Sequence, residues 1–487
     1  MNYTLITFVV LYLLGTLAIG VWAGTRIKNT SDFAVAGRSL PLIMVVTTTF
    51  ATWFGAETVM GIPAKFVQEG MGAIVEDPFG AGTCLILVGM FFAAKLYKEN
   101  LLTIGDFYRQ RYGKGVEVFC SVAIMLSYLG WVAAQITALG LVFSVLTNGA
   151  MSETVGMIVG TLAVLIYVVI GGFLAVALTD FIQMIVLVIG LTIIAFFASD
   201  LAGGPGPVLD MASQANLWNF LPPATFTDIA FFIGAAVTMM LGSIPQQDVF
   251  QRVMSAKDAP TASRGAIIGG AGYILFAFVP MFIVACAVVV MGSSALEMAK
   301  DDYQRLLPTF IMTKMPLVMQ ILFFGALVSA IKSTSSATLL APSTSFVENI
   351  LKNLRPEMSD KQQLFAMRCT LVVFAGLVLA YAIAMKGTSI YDLVSTAYQV
   401  TLVGAFVPLV MGLYWKRATT QGAIMSLACG IGVWILFFPQ VSSLGEHFPG
   451  QLAGLLSAFI GMLAGSMAPQ VLKNRHEGVL HVKGIGA

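Results

Sequence analysis

The stretch VSAIKSTSS (328–336) sets one amine, Lys332, among five hydroxyl side chains: Ser329, Ser333, Thr334, Ser335 and Ser336. All lie inside the otherwise apolar run QILFFGALVSAIKSTSSATLLA. An ionised lysine at mid-bilayer costs roughly 2.5–3.5 kcal/mol and therefore needs a partner. Ala330, Ser333, Thr334 and Ala337 stand at i, i+3, i+4 and i+7, one helical stripe. Lys332 lies about 100° around the helix from Ser333 but only about 40° from Ser336. Hydroxyls so placed either bond back to the carbonyl four residues earlier or offer oxygen to a neighbouring helix or a hard cation.

Two further runs carry polar groups beside backbone breakers. FATWFGAETVMGIP (50–63) holds Trp53 and Glu57 next to Gly55, Gly61 and Pro63; MLGSIPQQDVFQ (240–251) holds Gln246 and Gln247 next to Gly242 and Pro245. Unwound backbone survives in lipid only where it lines a cavity or binds something, and paired broken segments point to a transport site between them. Trp131 and Gln135, on the fourth apolar run, complete the candidate solute group. A carboxylate and glutamines suit a solute with a cationic or hydrogen-bonding part, and a tryptophan face attracts a cation. The tryptophans equally suit plain packing, and Glu57 could instead pair with Lys332. Enzyme chemistry has no foothold. The cysteines (Cys84, Cys120, Cys286, Cys369, Cys429) are scattered singly, and His447, His476 and His481 fall in loops or tail. No metal-ligand spacing or nucleophile–base pair is present.

The elements that position these groups must be membrane helices. Of 487 residues 58% are hydrophobic and 10% charged, where a soluble chain is nearer 25% charged. A net charge of +2 with no basic tract argues against nucleic acid. Apolar runs predict an all-α integral membrane protein with about thirteen spans, from 3–24 to 450–472, the division at Gly171-Gly172 being the faintest. The first run is expected to be a retained span rather than a cleaved leader. With the N-terminus outside, 20 basic residues fall in inner segments and 5 in outer ones (Lys65, Lys300, Arg305, Lys314, Lys386), so N-out and C-in is expected. The expected organisation is a first helix and linker (1–39), a first five-helix repeat (40–199), a connector (200–225), a second repeat (226–415), and two final helices with a short tail (416–487). The acids Glu76, Asp77, Asp301, Asp302 and Glu348 are expected on solvated faces or helix ends. Asp106, Tyr108, Arg109, Arg111 and Gln251-Arg252 are expected on the inner side, as gate residues or surface packing.

GIPAKFVQEGMGA (61–73), GGFLAVALTDFIQ (171–183), SIPQQDVFQRVMSAKDA (243–259) and GALVSAIKSTSSATLLAPSTSFVENI (325–350) resemble, in order, motifs of the sodium/solute symporter family. ATWFGAE and the fourth span most resemble its high-affinity choline transporter branch. The resemblance implies a leucine-transporter-like core of two inverted five-helix repeats with flanking helices. It implies a sodium site formed by carbonyls of Ala51 and Phe54 with Ala330, Ser333 and Thr334. Some members hold a second sodium; Asp180, Ser333 and Ser336 match that region, but Ala337 stands where those members carry another serine. Lys332 is therefore expected to abut the second-ion region and pair with Asp180. Trp53 and Trp131 match the branch's aromatic cage, Gln246 replaces a third tryptophan, and Glu57 stands where the branch has glycine. The implied function is sodium-coupled symport of a small polar organic solute by alternating access, in the plasma or inner membrane. Alternatives are a proton-coupled or sodium-independent carrier in which Lys332 replaces an ion, and a transporter-like solute sensor, for which the tail after about 473 is too short to add a signalling module.

Overall fold

Lipid offers no hydrogen bonds, so each long apolar run closes its own backbone as a helix. The computed structural model describes residues 3–438 and 441–472, apart from the side chains at 296 and 299–301. Lys473, Arg475, Lys483, His476 and His481, with the rest of the tail, lie outside the described residues, as do the side chains of Lys300 and Asp301. Among the described residues there is no strand, only an isolated parallel bridge between Leu40 and Ala256.

The spans run in chain order. α1 is Tyr3–Gly24. α2 is a bent pair, Leu42–Trp53 and Glu57–Glu69, turned by 57°. α3 is Met71–Lys98 and α4 Lys114–Leu146. The next helix, Glu153–Leu201, has 49 residues. At 1.5 Å per residue it would reach about 74 Å, more than twice the ~30 Å hydrocarbon. It breaks at Gly172 (φ 51, ψ −157) into α5 (153–171) and α6 (173–201). α7 is the second bent pair, Phe226–Gly242 and Gln247–Ser255, turned by 44°. Then come α8 (Ala259–Met291), α9 (Leu317–Leu354), α10 (Asp360–Ala384) and α11 (Ile390–Tyr414). α12 (Thr420–Leu436) and α13 (Gly450–Met467) close the described chain. Thirteen spans result among the described residues, with two sets of five, α2–α6 and α7–α11, each opening on a broken helix. The segment 200–225 is not a bare connector. It contains the helix Pro205–Gln214, and its Leu217 and Asn219 carbonyls accept from the Met71 and Gly72 amides at the start of α3.

Burial follows the polar content. α9 is buried almost continuously from Phe323 to Ser345, because its hydroxyls and amine need protein partners. α1 and α10 keep large apolar side chains outward, among them Phe8, Leu11, Val372 and Val373, as lipid-facing helices do. Gly172 decides the α5–α6 break. A Cβ there would sit 2.9 Å from the Phe33 carbonyl oxygen and 2.6 Å from its ring, on a backbone that side-chain-bearing residues rarely adopt. Gly172→Ala is expected to cost about 1–3 kcal/mol, read as a lower thermal midpoint. Gly325→Ala, with open space at its Cβ, should leave the midpoint in place; equal effects would show that the break is not set by Gly172.

Candidate functional site

The α2 break begins where Phe54 leaves the helix (φ −84, ψ 69). Its freed backbone groups find side chains instead of lipid. The Ala56 amide donates to Gln135 Oε1 at 2.9 Å, the Thr58 hydroxyl to the Trp53 carbonyl at 3.2 Å, and Ser333 Oγ lies 3.0 Å from the Ala51 carbonyl oxygen. The α7 break covers 243–246. There the Thr401 hydroxyl donates to the Gly242 carbonyl at 2.7 Å, and Gln246 Nε2 donates to Ser127 Oγ at 2.8 Å.

The hydroxyls around Lys332 divide into two kinds. Ser329, Ser335 and Ser336 bond the carbonyls of Gly325, Ile331 and Lys332, four residues back, at 2.6–2.7 Å. Ser333 and Thr334 do not. Ser333 Oγ lies 2.5 Å from Asp180 Oδ1 as well as 3.0 Å from the Ala51 oxygen. Its one proton goes to the nearer, charged acceptor. A lone pair of Ser333 then faces the Ala51 carbonyl, an arrangement of two acceptors that a cation relieves. Thr334 Oγ1 is buried beside the same break with no hydrogen-bond partner. Ala51, Ser333 and Thr334 thus come together between α2 and α9, with Phe54 at the break of α2 and Ala330 three residues before Ser333 on α9.

One expectation in the second-ion region needs correction. Lys332 and Asp180 do not form an ion pair. Asp180 is engaged by the hydroxyls of Thr48, at 2.5 Å, and Ser333, while Lys332 Nζ lies 3.8 Å from the centre of the Tyr167 ring and has no hydrogen-bond partner. A ring face attracts an ammonium without accepting a conventional hydrogen bond. The Ser336 hydroxyl donates to the Lys332 carbonyl of its own helix.

The solute candidates split as well. Trp53 and Trp131 meet edge to face at 5.7 Å between ring centres, and both contact Tyr398. Glu57 accepts from Trp131 Nε1 at 3.0 Å and from Gln135 Nε2 at 2.5 Å, not from Lys332. Gln246 lines the adjoining break, and its Oε1 has no partner. Gln247 does not belong to this group. Its Oε1 accepts from the Ile104 amide at 2.9 Å, at the start of the short helix Ile104–Tyr112, because α7 has resumed its helix at Gln247 and turned the side chain away from the break.

Residues missed in the sequence join the two broken helices. Asp248, fully buried, accepts from Tyr128 Oη at 2.6 Å and from Trp53 Nε1 at 3.2 Å. Arg252, 2% exposed rather than in an inner loop, lies 3.8 Å from the Asp248 carboxylate. It donates to the Asp248 carbonyl at 2.6 Å, to the Thr48 carbonyl at 3.3 Å and to the Thr52 hydroxyl. The signal available was the i, i+4 Asp–Arg spacing in a run otherwise read for its glutamines. Glu76 and Asp77 were expected on solvated faces but are 4% and 1% exposed. Ser395 donates to Glu76 at 2.7 Å and Tyr273 to Asp77 at 2.6 Å.

The two faces of the molecule differ. On the face bearing Lys65, a cavity of about 690 Å³ descends to Thr137, Gly61 and Tyr391. On the opposite face Tyr108, Tyr112 and Arg111 donate to carbonyls of Ala405, Pro408 and Gly412 on α11, at 2.9–3.0 Å. Gln251 there donates to the Ala34 carbonyl at 3.0 Å. The Tyr108, Tyr112 and Arg111 bonds fasten the helix Ile104–Tyr112 to α11, beside a separate cavity of about 530 Å³ lined by Asp106, Arg109 and Glu348.

A family model described as the sodium:solute symporter family matches residues 33–430. The high affinity choline transporter 1 of Homo sapiens is 27% identical, over 88% of this chain and 75% of its own. The sodium/pantothenate symporter of Escherichia coli (strain K12) is 26% identical, over 96% and 98%. A solved Na+-coupled sialic acid symporter, in a substrate-bound outward-open state, superposes with a TM-score of 0.81 over 96% of this chain and 98% of that one, at 21% identity. The fold is therefore the leucine-transporter-like one, two inverted five-helix repeats with flanking helices.

Proposed function

The chain belongs to the sodium:solute symporter family, and from that premise we propose which residues drive its transport and in which direction. It is a multi-pass membrane protein that moves a small solute together with sodium. On our reading it works by alternating access in the plasma or inner membrane, N-terminus outside, with the Lys65 face outward. The repeats are read as 40–199 and 226–415. Sodium is held by the Ala51 and Phe54 carbonyls together with Ala330, Ser333 and Thr334, and the solute lies between the breaks, against Trp53, Glu57, Trp131, Gln135 and Gln246. The observation that carries this reading is that Ser333 Oγ, with one proton, lies against two acceptors, Asp180 Oδ1 at 2.5 Å and the Ala51 oxygen at 3.0 Å, beside the unpartnered Thr334 hydroxyl. Sodium drawn to those oxygens stiffens the same break that lines the solute pocket, so the two bindings reinforce one another reciprocally.

One sodium per cycle fits best. The second-ion region has Asp180 already engaged, Ser336 turned to its own carbonyl, Ala337 without a hydroxyl, and the fixed amine of Lys332 nearby. Sodium is expected to raise the thermal midpoint of the purified protein above that in equimolar potassium, by the equivalent of about 2.7 kcal/mol at a hundredfold excess over Kd. The dependence should follow one site. Identical midpoints in the two salts, with uptake driven by a pH gradient, would replace this reading with the sodium-independent carrier. A dependence that requires two sodium sites would remove the assigned role of Lys332.

A further inference from the structure

Glu57 is a buried carboxylate without a cation. It is 2% exposed, and among the described residues no lysine or arginine nitrogen comes within 4.0 Å of it. The two buried bases nearby are committed elsewhere: Arg252 lies against Asp248, and Lys332 against the Tyr167 ring. A buried charge is retained only where something compensates it.

The surroundings of Gly55 indicate what does. A Cβ on Gly55 would lie 2.6 Å from Thr334 Oγ1, 2.7 Å from Glu57 Oε2 and 2.8 Å from Gln135 Oε1. Three oxygens, from α9, α2 and α4, therefore gather over the one residue type that leaves them room. Each keeps acceptor capacity. Glu57 Oε2 takes one hydrogen bond from Gln135, Gln135 Oε1 takes one from the Ala56 amide, and Thr334 Oγ1 takes none; carboxylate and amide oxygens each have two lone pairs. The rings of Trp53, Trp131 and Tyr398 stand alongside, and the Tyr398 hydroxyl is buried without a partner.

We propose that Glu57, Gln135 and Thr334 seat the positively charged head of the transported solute, and that this head carries N–H bonds: a primary or secondary amine, not a quaternary one. The inference rests on the symport reading above and specifies its substrate class. Three convergent acceptors match the donors of a protonated amine. A quaternary ammonium brings charge but no donor, so it would strip water from these oxygens and return no hydrogen bond. A solute whose only charge is a carboxylate would meet Glu57 as a like charge. Thr334 belongs to both the amine seat and the sodium locality.

The test uses purified full-length protein in saturating sodium and three methylation ladders: ethanolamine to choline, glycine to betaine, and phenethylamine to its trimethylammonium analogue. Thermal stabilisation is the readout. Within at least one ladder the N–H-rich members are expected to bind, with apparent affinity falling at least about tenfold from the first member to the last, because a site built for N–H donors rejects analogues lacking them. Glu57→Gln, and Gly55→Ala, whose methyl fills the cradle, are expected to abolish that preference. Equal or tighter binding of the fully methylated members overturns the seat. So does stabilisation by pantothenate but by no amine, and so does the absence of any amine binding. Should the variants fail to elute as monodisperse protein, the ladders on the unaltered chain still decide. The sodium-against-potassium shift without solute is recorded in parallel. Its loss would sink sodium symport, whereas its presence with flat ladders would sink only the amine seat.

Discussion

Arg252→Met is expected to cost roughly 3–5 kcal/mol of stability, the range for stripping one partner from a buried ion pair. The guanidinium is 2% exposed and its carboxylate partner Asp248 fully buried. Removing the arginine leaves Asp248 charged between Trp53 and Tyr128. It also deprives the Thr48 carbonyl and the Thr52 hydroxyl of their donor, and those residues belong to the first half of α2. The double substitution Asp248→Asn/Arg252→Met should recover most of the loss, since no uncompensated charge remains. Thermal or denaturant unfolding of the unaltered chain and the two variants checks this. A single variant no less stable than the double one would show that the pair is not a fastening between the broken helices.

Ser333→Ala is expected to weaken sodium binding at least about tenfold, the equivalent of one lost charge-assisted contact. The substitution removes the proton that reaches Asp180 Oδ1 and the oxygen that faces the Ala51 carbonyl. Ser335→Ala serves as the control, because its hydroxyl bonds only the Ile331 carbonyl of its own helix. Sodium titrations followed by thermal stabilisation, against potassium at equal ionic strength, read both. If the two alanines shift the sodium midpoint alike, the ion does not use Ser333 and its locality must be sought elsewhere.

The two expectations meet in one bonded chain. Asp248 holds Trp53 and pairs with Arg252; Arg252 holds the Thr48 carbonyl; the Thr48 hydroxyl and Ser333 hold Asp180; Ser333 faces Ala51. The two broken helices are therefore joined by a continuous run of hydrogen bonds and one ion pair. Coupling of this kind needs two arrangements whose balance both ligands shift.

Much of this was legible along the chain. Helices and their number follow from apolar run length alone, since lipid forces each run to satisfy its own backbone. The breaks follow from Gly and Pro beside polar side chains, and the stripe of Ser333 and Thr334 from helical spacing. Periodicity, however, states only which side of a helix a group occupies, not what stands opposite. That is why Lys332 was matched to Asp180 when its neighbour is the Tyr167 ring, and why Gln247 was grouped with the solute though it caps a short helix. Glu76 and Asp77 look like loop acids until Tyr273 and Ser395 are seen to cover them. Burial, partnership and the cradle over Gly55 each require atoms from segments about 80 to 320 residues apart, and only packing brings those into contact.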